Sequence, residues 1–132
     1  MRSRSAIALI GIGMAVTAAT PLTSTAAAAA DPVTTCRRAI DALGKTTDKP
    51  VPGVCLWTEQ NFRGEMTVLT GYWGSDTCGD LRPAAKSAVS LSNEEHLLYR
   101  FTKCQEKNFL TSIKPGQSQA TFGSDAAAGS WR

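Results

Sequence analysis

The length, composition and charge of the chain exclude several classes of protein. It has 132 residues, 42% of them hydrophobic and 19% charged, which is typical of one globular domain rather than of a disordered or polytopic membrane protein. The net charge is +3, but two of the 14 basic residues, Arg2 and Arg4, lie in a segment that we expect to be removed. The remaining 12 basic and 11 acidic residues leave a charge of about +1. The chain therefore lacks the basic footprint of a nucleic-acid-binding protein.

The first thirty residues have the order of a secretory signal peptide. Met1–Arg4 is positively charged, residues 6–19 form a 14-residue apolar stretch, and small residues end in the alanine run 26–30. The apolar part of a signal peptide has about 7–15 residues, whereas a membrane-spanning helix needs about 20. We therefore predict cleavage before Asp31 and a secreted mature protein of residues 31–132. The alternative is an uncleaved membrane anchor.

The mature part begins with an arm, residues 31–53, and continues as a β-prone domain, residues 54–132. In the arm, Cys36–Leu43 has apolar residues at helical spacing with Gly44 as a C-cap, which predicts one short helix. The short β-prone segments that follow are separated by turn-forming residues and comprise 54–57, 66–69, 88–91, 96–101 and 108–113. Such a series predicts an all-β antiparallel sandwich or barrel. The tail 123–132 fits either a final strand or a frayed end.

All four cysteines lie in the predicted mature part, and an even number in an oxidising compartment predicts disulfides. A metal site is the alternative, but the sequence has no Cys-x-x-Cys, and its single histidine, His96, has no cysteine within seven residues. Four cysteines allow three connectivities. We favour Cys36–Cys55 with Cys78–Cys104, because this option closes the shortest loops.

The β-prone domain contains an internal repeat with a period near 40 residues. Each unit has an aromatic residue, a second landmark five positions later, a third two further on, and a serine before an apolar residue near its end. These landmarks are Trp57, Phe62, Gly64 and Ser90 in the first unit, and Tyr99, Cys104, Glu106 and Ser130 in the second. Repetition at this period predicts two similar β units that share a core.

The landmarks of the first unit are interpreted as fold determinants rather than as active-site residues. An aromatic ring at the end of one strand can cover the hairpin that follows it. Gly64 allows a backbone conformation that is closed to residues with a Cβ. A buried serine hydroxyl can satisfy backbone groups at the folded turn, where the sheet offers no partner.

These landmarks resemble the βγ-crystallin Greek-key motif, in which two aromatic residues, a glycine and a later serine recur at this spacing. A longer series resembles the secreted actinobacterial proteins of the Streptomyces metalloproteinase inhibitor family. It comprises Gly53–Trp57, Asn61–Gly64, Cys78–Leu81, Ser90–Asn93, and Tyr99 before Cys104. The resemblance covers about residues 54–104. It implies a βγ-crystallin-like Greek-key sandwich and inhibition of secreted metallopeptidases of the thermolysin type.

The resemblance also implies where calcium would bind. The family's signature places two Asn or Asp residues, two other residues, and Ser or Thr before a final serine. Aligned on Ser90, the two Asn or Asp positions are Ala85 and Lys86, so the hard oxygen ligands are missing. In the second unit Asp125 is the one carboxylate before Ser130. We expect no metal in the first unit, at most weak calcium binding in the second, and no cofactor.

The segment 70–77 is the candidate contact loop. It places Tyr72 and Trp73 between glycines, and Cys78 would brace one end of it. The alternative is that both aromatic side chains pack on the sandwich. The best-known inhibitors of the family present a disulfide-braced loop in the second half of the chain. This sequence has no cysteine after Cys104, so that loop has no counterpart here.

Enzymatic activity is not expected. A Ser-His-Asp or Cys-His site would have to use His96, whose neighbours predict a turn that enters a strand. Glu94 and Glu95 are adjacent, and adjacent residues of a strand face opposite ways, so they cannot flank one glycosidic bond.

The leading hypothesis is a secreted peptidase inhibitor that docks non-covalently onto an extracellular zinc metallopeptidase. The alternative is a βγ-crystallin-like binding or antimicrobial toxin-like module, and a third hypothesis is a structural extracellular protein without a single target. The expected partner is a secreted protease, with no nucleic acid and, after signal cleavage, no membrane. The protein is expected to be a monomer.

Overall fold

The computed structural model describes residues 30–43, 51–70 and 77–132. The predicted signal peptide up to residue 29 and the contact-loop residues Tyr72 and Trp73 lie outside the described residues. The described chain is mostly β, with two antiparallel sheets and one short α-helix, which confirms the predicted all-β class. None of the helices in this part of the chain has the length and apolarity needed to cross a membrane.

The helix α1 (Pro32–Leu43) precedes the first strand. Asp31 caps its N-terminus, because the Asp31 Oδ2 atom accepts a hydrogen bond of 2.9 Å from the Thr34 N–H. Pro32 suits the first helical position, because a backbone N–H at that position has no partner within the helix and its absence costs nothing. The helix therefore begins four residues before the predicted start at Cys36. The predicted C-cap, Gly44, lies outside the described residues.

The described chain continues with eight strands and two short 3₁₀ turns. The strands are β1 (Gly53–Glu59), β2 (Arg63–Thr70), β3 (Gly79–Ala85), β4 (Ser87–Ser90), β5 (His96–Tyr99), β6 (Phe109–Ile113), β7 (Ser118–Gln119) and β8 (Ala128–Trp131). The 3₁₀ turns, Thr102–Cys104 and Glu106–Asn108, lie between β5 and β6. Each of the five predicted β segments overlaps a strand, and the C-terminal tail forms the final strand β8.

The sequence did not predict β3 and β7. β3 contains Pro83, which lacks a backbone donor, and β3 lies at the edge of its sheet, where that loss is tolerated. β7 has only two residues, so it is too short to show an alternating pattern.

The two halves of the chain are interlocked by their strand order. The first sheet has the order β2-β1-β4-β7 and the second has the order β3-β8-β5-β6. Each sheet thus takes three strands from one half and one strand from the other. β7 of the second half completes the first sheet, and β3 of the first half completes the second.

The main hydrophobic core lies between the two sheets, since strands of both sheets contribute to it. Its buried members are Val54, Leu56, Leu81, Ala85, Ala88, Leu98, Ile113, Ala128 and Trp131. The alternation of a strand is visible in β1, where Val54 and Leu56 belong to this core and the intervening Cys55 belongs to another cluster. The shared core makes the two halves one packing unit.

A second cluster lies between α1 and the outer face of the first sheet. Cys36 and Ile40 of the helix are fully buried there against Cys55, Trp57 and Val89. The predicted N-terminal arm therefore contributes to the packing of the β domain.

The described chain has two disulfides, and both have the predicted pairing. Cys36–Cys55 attaches α1 to β1, and Cys78–Cys104 attaches the residue before β3 to the β5–β6 hairpin. Two disulfides fit an oxidising, extracellular environment.

Candidate functional site

The two hairpins that carry the sequence repeat, β1–β2 and β5–β6, share an unusual backbone conformation at two turn positions. Asn61 and Phe62 both have a φ of 58°, and Lys103 and Cys104 have φ values of 71° and 44°. The second pair follows the first by 42 positions in the sequence. Residues with a Cβ adopt positive φ rarely, so the recurrence of this conformation 42 positions later agrees with the period of the sequence repeat.

A buried serine lies beneath the second hairpin, as predicted. The Ser130 hydroxyl accepts a hydrogen bond of 3.0 Å from the Cys104 N–H and donates to the Phe101 carbonyl oxygen. Both backbone groups belong to the turn, where no neighbouring strand is available to satisfy them. Ser130 therefore has the structural role that the repeat assigned to it.

The serine beneath the first hairpin is Ser87, and the predicted choice of Ser90 is wrong. The Ser87 hydroxyl accepts from the Phe62 N–H at 3.1 Å and donates to the Glu59 carbonyl oxygen at 2.7 Å. Ser87 lies opposite Trp57 across the β1–β4 pair, whereas Ser90 lies three residues further along β4. Both serines precede an apolar residue, so only the strand register distinguishes them.

The first hairpin is closed by aromatic packing. The Phe62 ring contacts the Trp57 ring edge to face, with 5.5 Å between centroids. Gly64 has a φ of 81°, and a Cβ at this position would overlap the Thr58 hydroxyl. The predicted roles of these three landmarks agree with their positions.

The second hairpin is closed by a disulfide at the equivalent position. Cys104 takes the place of Phe62 and is bonded to Cys78. Tyr99 takes the place of Trp57, is 1% exposed, and packs edge to face on Phe109 with 6.1 Å between centroids. The guanidinium of Arg132 lies 5.8 Å from the centre of the Tyr99 ring.

Replacing Ser90 by Ser87 as the turn serine shifts the alignment of the calcium signature that the resemblance implies. The shifted positions of the first unit still lack oxygen ligands. Aligned on Ser87, the Asn or Asp positions are Arg82 and Pro83. In the second unit Asp125 still precedes Ser130. Across residues 30–43, 51–70 and 77–132, no three His, Cys, Asp or Glu side chains lie close enough together to hold a metal ion.

His96 is the buried first residue of β5, directly after the turn that leads from the first sheet into the second. It is 4% exposed, and its Nε2 atom lies 2.9 Å from the Ser92 hydroxyl, which also accepts a hydrogen bond from the Glu94 N–H. Burial lowers the pKa of His96 below its ordinary value, and the nearby Glu94 carboxylate partly opposes this shift. The arrangement makes His96 a structural link between β5 and this turn.

One end of the candidate contact loop is followed directly by a disulfide-bonded residue. The described chain reaches Thr70 at the end of β2 and resumes at Thr77, directly before Cys78. The bond from Cys78 to Cys104 attaches the C-terminal end of the loop to the second hairpin. Cys78, which follows the candidate contact loop in the sequence, is therefore a covalently fixed point of the fold.

The second hairpin also carries an exposed surface that the sequence analysis missed. Phe101 is 63% exposed and Phe109 is 50% exposed. Arg100, Lys103 and Lys107 are exposed on the same hairpin. We call these five residues the aromatic–basic patch. The available signal was the proximity of Phe101 and Phe109 in the sequence to three cations. It was missed because aromatic residues in a β-prone segment usually belong to a core.

The comparisons with known proteins leave the function to be inferred from the residues themselves. The sequence matches no family model and no curated protein. The second hairpin carries the aromatic–basic patch and is bonded to Cys78, the residue that follows the candidate contact loop. The two predicted disulfides and the two repeat hairpins provide the rigid support for both.

Proposed function

We propose that the chain is a secreted inhibitor of extracellular zinc metallopeptidases that binds its target non-covalently and is built as a βγ-crystallin-like Greek-key sandwich. Support for this fold comes from the interlocked strand order and from the two hairpins with matching φ angles. The serines Ser87 and Ser130, each bonded to both sides of its turn, add further support. The metallopeptidase specificity rests on the resemblance of residues 54–104 to the inhibitor family.

The observation that carries the inhibitory role is the attachment of the contact loop to a rigid hairpin through Cys78–Cys104. Fixing an end of a loop reduces the conformational entropy that the loop loses when it binds a partner. Tyr72 and Trp73, in that loop, are of the residue types that act as anchors in protein interfaces. A braced aromatic loop on a cross-linked domain suits a protein that must occupy a protease without being degraded.

Secretion is part of the proposal. The order of charged, apolar and small residues before Asp31 supports export, and the two disulfides fit the compartment that export would reach. Asp31, the proposed first residue of the mature protein, caps α1 and is thereby useful to the folded domain.

The proposal is tested by titrating the exported protein against thermolysin, a serine protease and a cysteine protease. We expect thermolysin activity to fall towards zero at one equivalent while the other two proteases keep their activity. A Tyr72→Ser/Trp73→Ser variant should inhibit more weakly, and a Val33→Ser/Leu43→Ser variant, altered at exposed positions of α1, is the matched control. Full activity of every protease at micromolar protein would contradict the proposal. Suppression of bacterial growth without protease inhibition would instead support the toxin-like alternative.

A further inference from the structure

We infer that the aromatic–basic patch of the second hairpin is a docking surface for an acidic protein surface that offers an apolar pocket. The inference rests on the proposed function, because it identifies the bound protein as the inhibited metallopeptidase. It extends that function by assigning contact residues beyond the loop 70–77.

The first argument is the exposure of the two aromatic side chains. The large hydrophobic residues exposed in the described chain are Val33, Leu43, Phe101 and Phe109. The two aliphatic ones lie on α1, so both exposed aromatic residues of this set lie on the second hairpin. Aromatic side chains held at a protein surface are favourable anchors, since they bury a large area with few rotatable bonds.

The second argument comes from the equivalent position in the first unit. Met66 lies opposite Trp57 across β1–β2, as Phe109 lies opposite Tyr99 across β5–β6. Met66 packs into the cluster that α1 covers, whereas Phe109 remains half exposed. The chain thus covers this face of one unit with the buried face of its own helix and leaves the corresponding side chain of the other unit accessible.

The third argument is charge. Between residues 100 and 109 there are three cations and one acid, Glu106, a net charge of +2 in ten residues, against about +1 for residues 31–132. Asp80 also contacts this hairpin, since its Oδ1 atom accepts a hydrogen bond of 3.1 Å from the Lys103 N–H. The Arg82 guanidinium lies 3.9 Å from the Asp80 Oδ2 atom, so this pair adds no net charge. The local excess of positive charge attracts a surface rich in carboxylates and disfavours contact with the same patch of a second copy.

The exposed acid Glu106, a neighbour of the patch on the same hairpin, favours a protein over a lipid bilayer as the partner. Glu106 is exposed between Lys103 and Lys107, so an anionic bilayer would repel part of the surface that it attracts. A protein partner can place carboxylates opposite the cations and a group without negative charge opposite Glu106. The hairpin is also preorganised, because Cys104 is held by its disulfide and by the Ser130 hydroxyl.

The experiment compares two patch variants of the exported protein with two controls in thermolysin inhibition. The patch variants are Phe101→Ser/Phe109→Ser and Lys103→Glu/Lys107→Glu. The controls are Val33→Ser/Leu43→Ser, which removes exposed apolar side chains elsewhere, and Arg38→Glu/Lys114→Glu, which reverses exposed charges elsewhere. We expect each patch variant to weaken inhibition by about 30-fold or more and each control by less than about 3-fold. The thermal midpoint of each variant verifies folding. If loss of the Phe109–Tyr99 contact destabilises the phenylalanine variant, the lysine variant still tests the inference.

The possible outcomes separate this inference from the proposed function. If the wild-type protein inhibits thermolysin and the patch variants inhibit equally well, the inference is wrong and the proposed function stands. If the wild-type protein inhibits no protease, the proposed function fails and the inference fails with it. Phenylalanine-dependent binding to vesicles of phosphatidylcholine and phosphatidylserine without protease binding, or patch-dependent dimerisation in sedimentation, would also overturn the inference.

Discussion

Phe62 and Cys104 occupy the same position in the two hairpins, and each donates its backbone N–H to a buried serine hydroxyl. Their side chains close the hairpins by different means. The Phe62 ring packs on Trp57, whereas the Cys104 sulfur is bonded to Cys78. A covalent bond thus replaces an aromatic contact while the backbone of the turn is kept, and the same bond fixes the end of the predicted contact loop.

Replacing Ser87 by alanine should destabilise the protein more than replacing Ser90. Ser87→Ala leaves the Phe62 N–H and the Glu59 carbonyl oxygen without their partner, and a buried unsatisfied group costs about 1–3 kcal/mol. The Ser90 hydroxyl accepts one longer hydrogen bond, of 3.4 Å, from the Ser92 N–H, so Ser90→Ala should cost less than about 1.5 kcal/mol. Urea denaturation of both variants measures the difference. A larger loss for Ser90→Ala would refute the assignment of Ser87 to the turn.

Gly64→Val should lower the free energy of unfolding by about 3 kcal/mol or more, because the new side chain would meet both an unfavourable φ and the Thr58 hydroxyl. Gly116→Val is the matched control. Gly116 has a φ of 72°, but nothing lies within 4 Å of the position of its Cβ, so only the backbone strain of about 1–3 kcal/mol applies. Equal losses for the two variants would show that the contact with Thr58 is unimportant.

Removing either disulfide should destabilise the domain by about 3 kcal/mol, since the bonds close loops with sequence separations of 19 and 26 residues. In a domain of this size such a loss should lower the thermal midpoint by more than about 10 °C. Scanning calorimetry of Cys36→Ser/Cys55→Ser and Cys78→Ser/Cys104→Ser measures each effect. Thiol titration of the exported, unreduced protein should find no free sulfhydryl, and four reactive thiols would disprove both bonds.

Acidification should weaken the fold through His96. Burial lowers the pKa of His96 in the folded state, so the unfolded chain binds the proton more readily. The stability associated with neutral His96 is therefore fully present above the ordinary pKa of about 6.5 and is lost as the pH falls through the lowered pKa of the folded state. We expect the thermal midpoint to fall between pH 7.5 and pH 5, and His96→Asn to reduce this slope. An identical pH dependence in the variant would exclude His96 as the cause.

Local patterns were sufficient to predict the all-β class, the helix and both disulfides, because each depends on periodicity or on spacing along the chain. The choice between Ser87 and Ser90 could not be made this way, since it depends on which serine lies opposite Trp57 in the folded sheet. β3 was not predicted because it contains Pro83, and a proline is tolerated in this strand because the strand lies at the edge of its sheet.

The aromatic–basic patch was missed for a related reason. Phe101 falls in a segment with the composition of a strand, yet β5 ends at Tyr99, and Phe101, two residues beyond that end, is exposed. Exposure of a phenylalanine is set by where the strand stops relative to its neighbours. The sequence pattern does not contain that information.

The most direct test of the account is isolation of the complex itself. The exported protein and thermolysin are mixed in equal amounts and separated by size-exclusion chromatography with light scattering, and the bound chain is then weighed by mass spectrometry. We predict a one-to-one complex that lacks protease activity and contains the chain from Asp31 to Arg132 intact. Separate elution of two unchanged proteins, or recovery of a cleaved chain with active protease, would contradict the central claim.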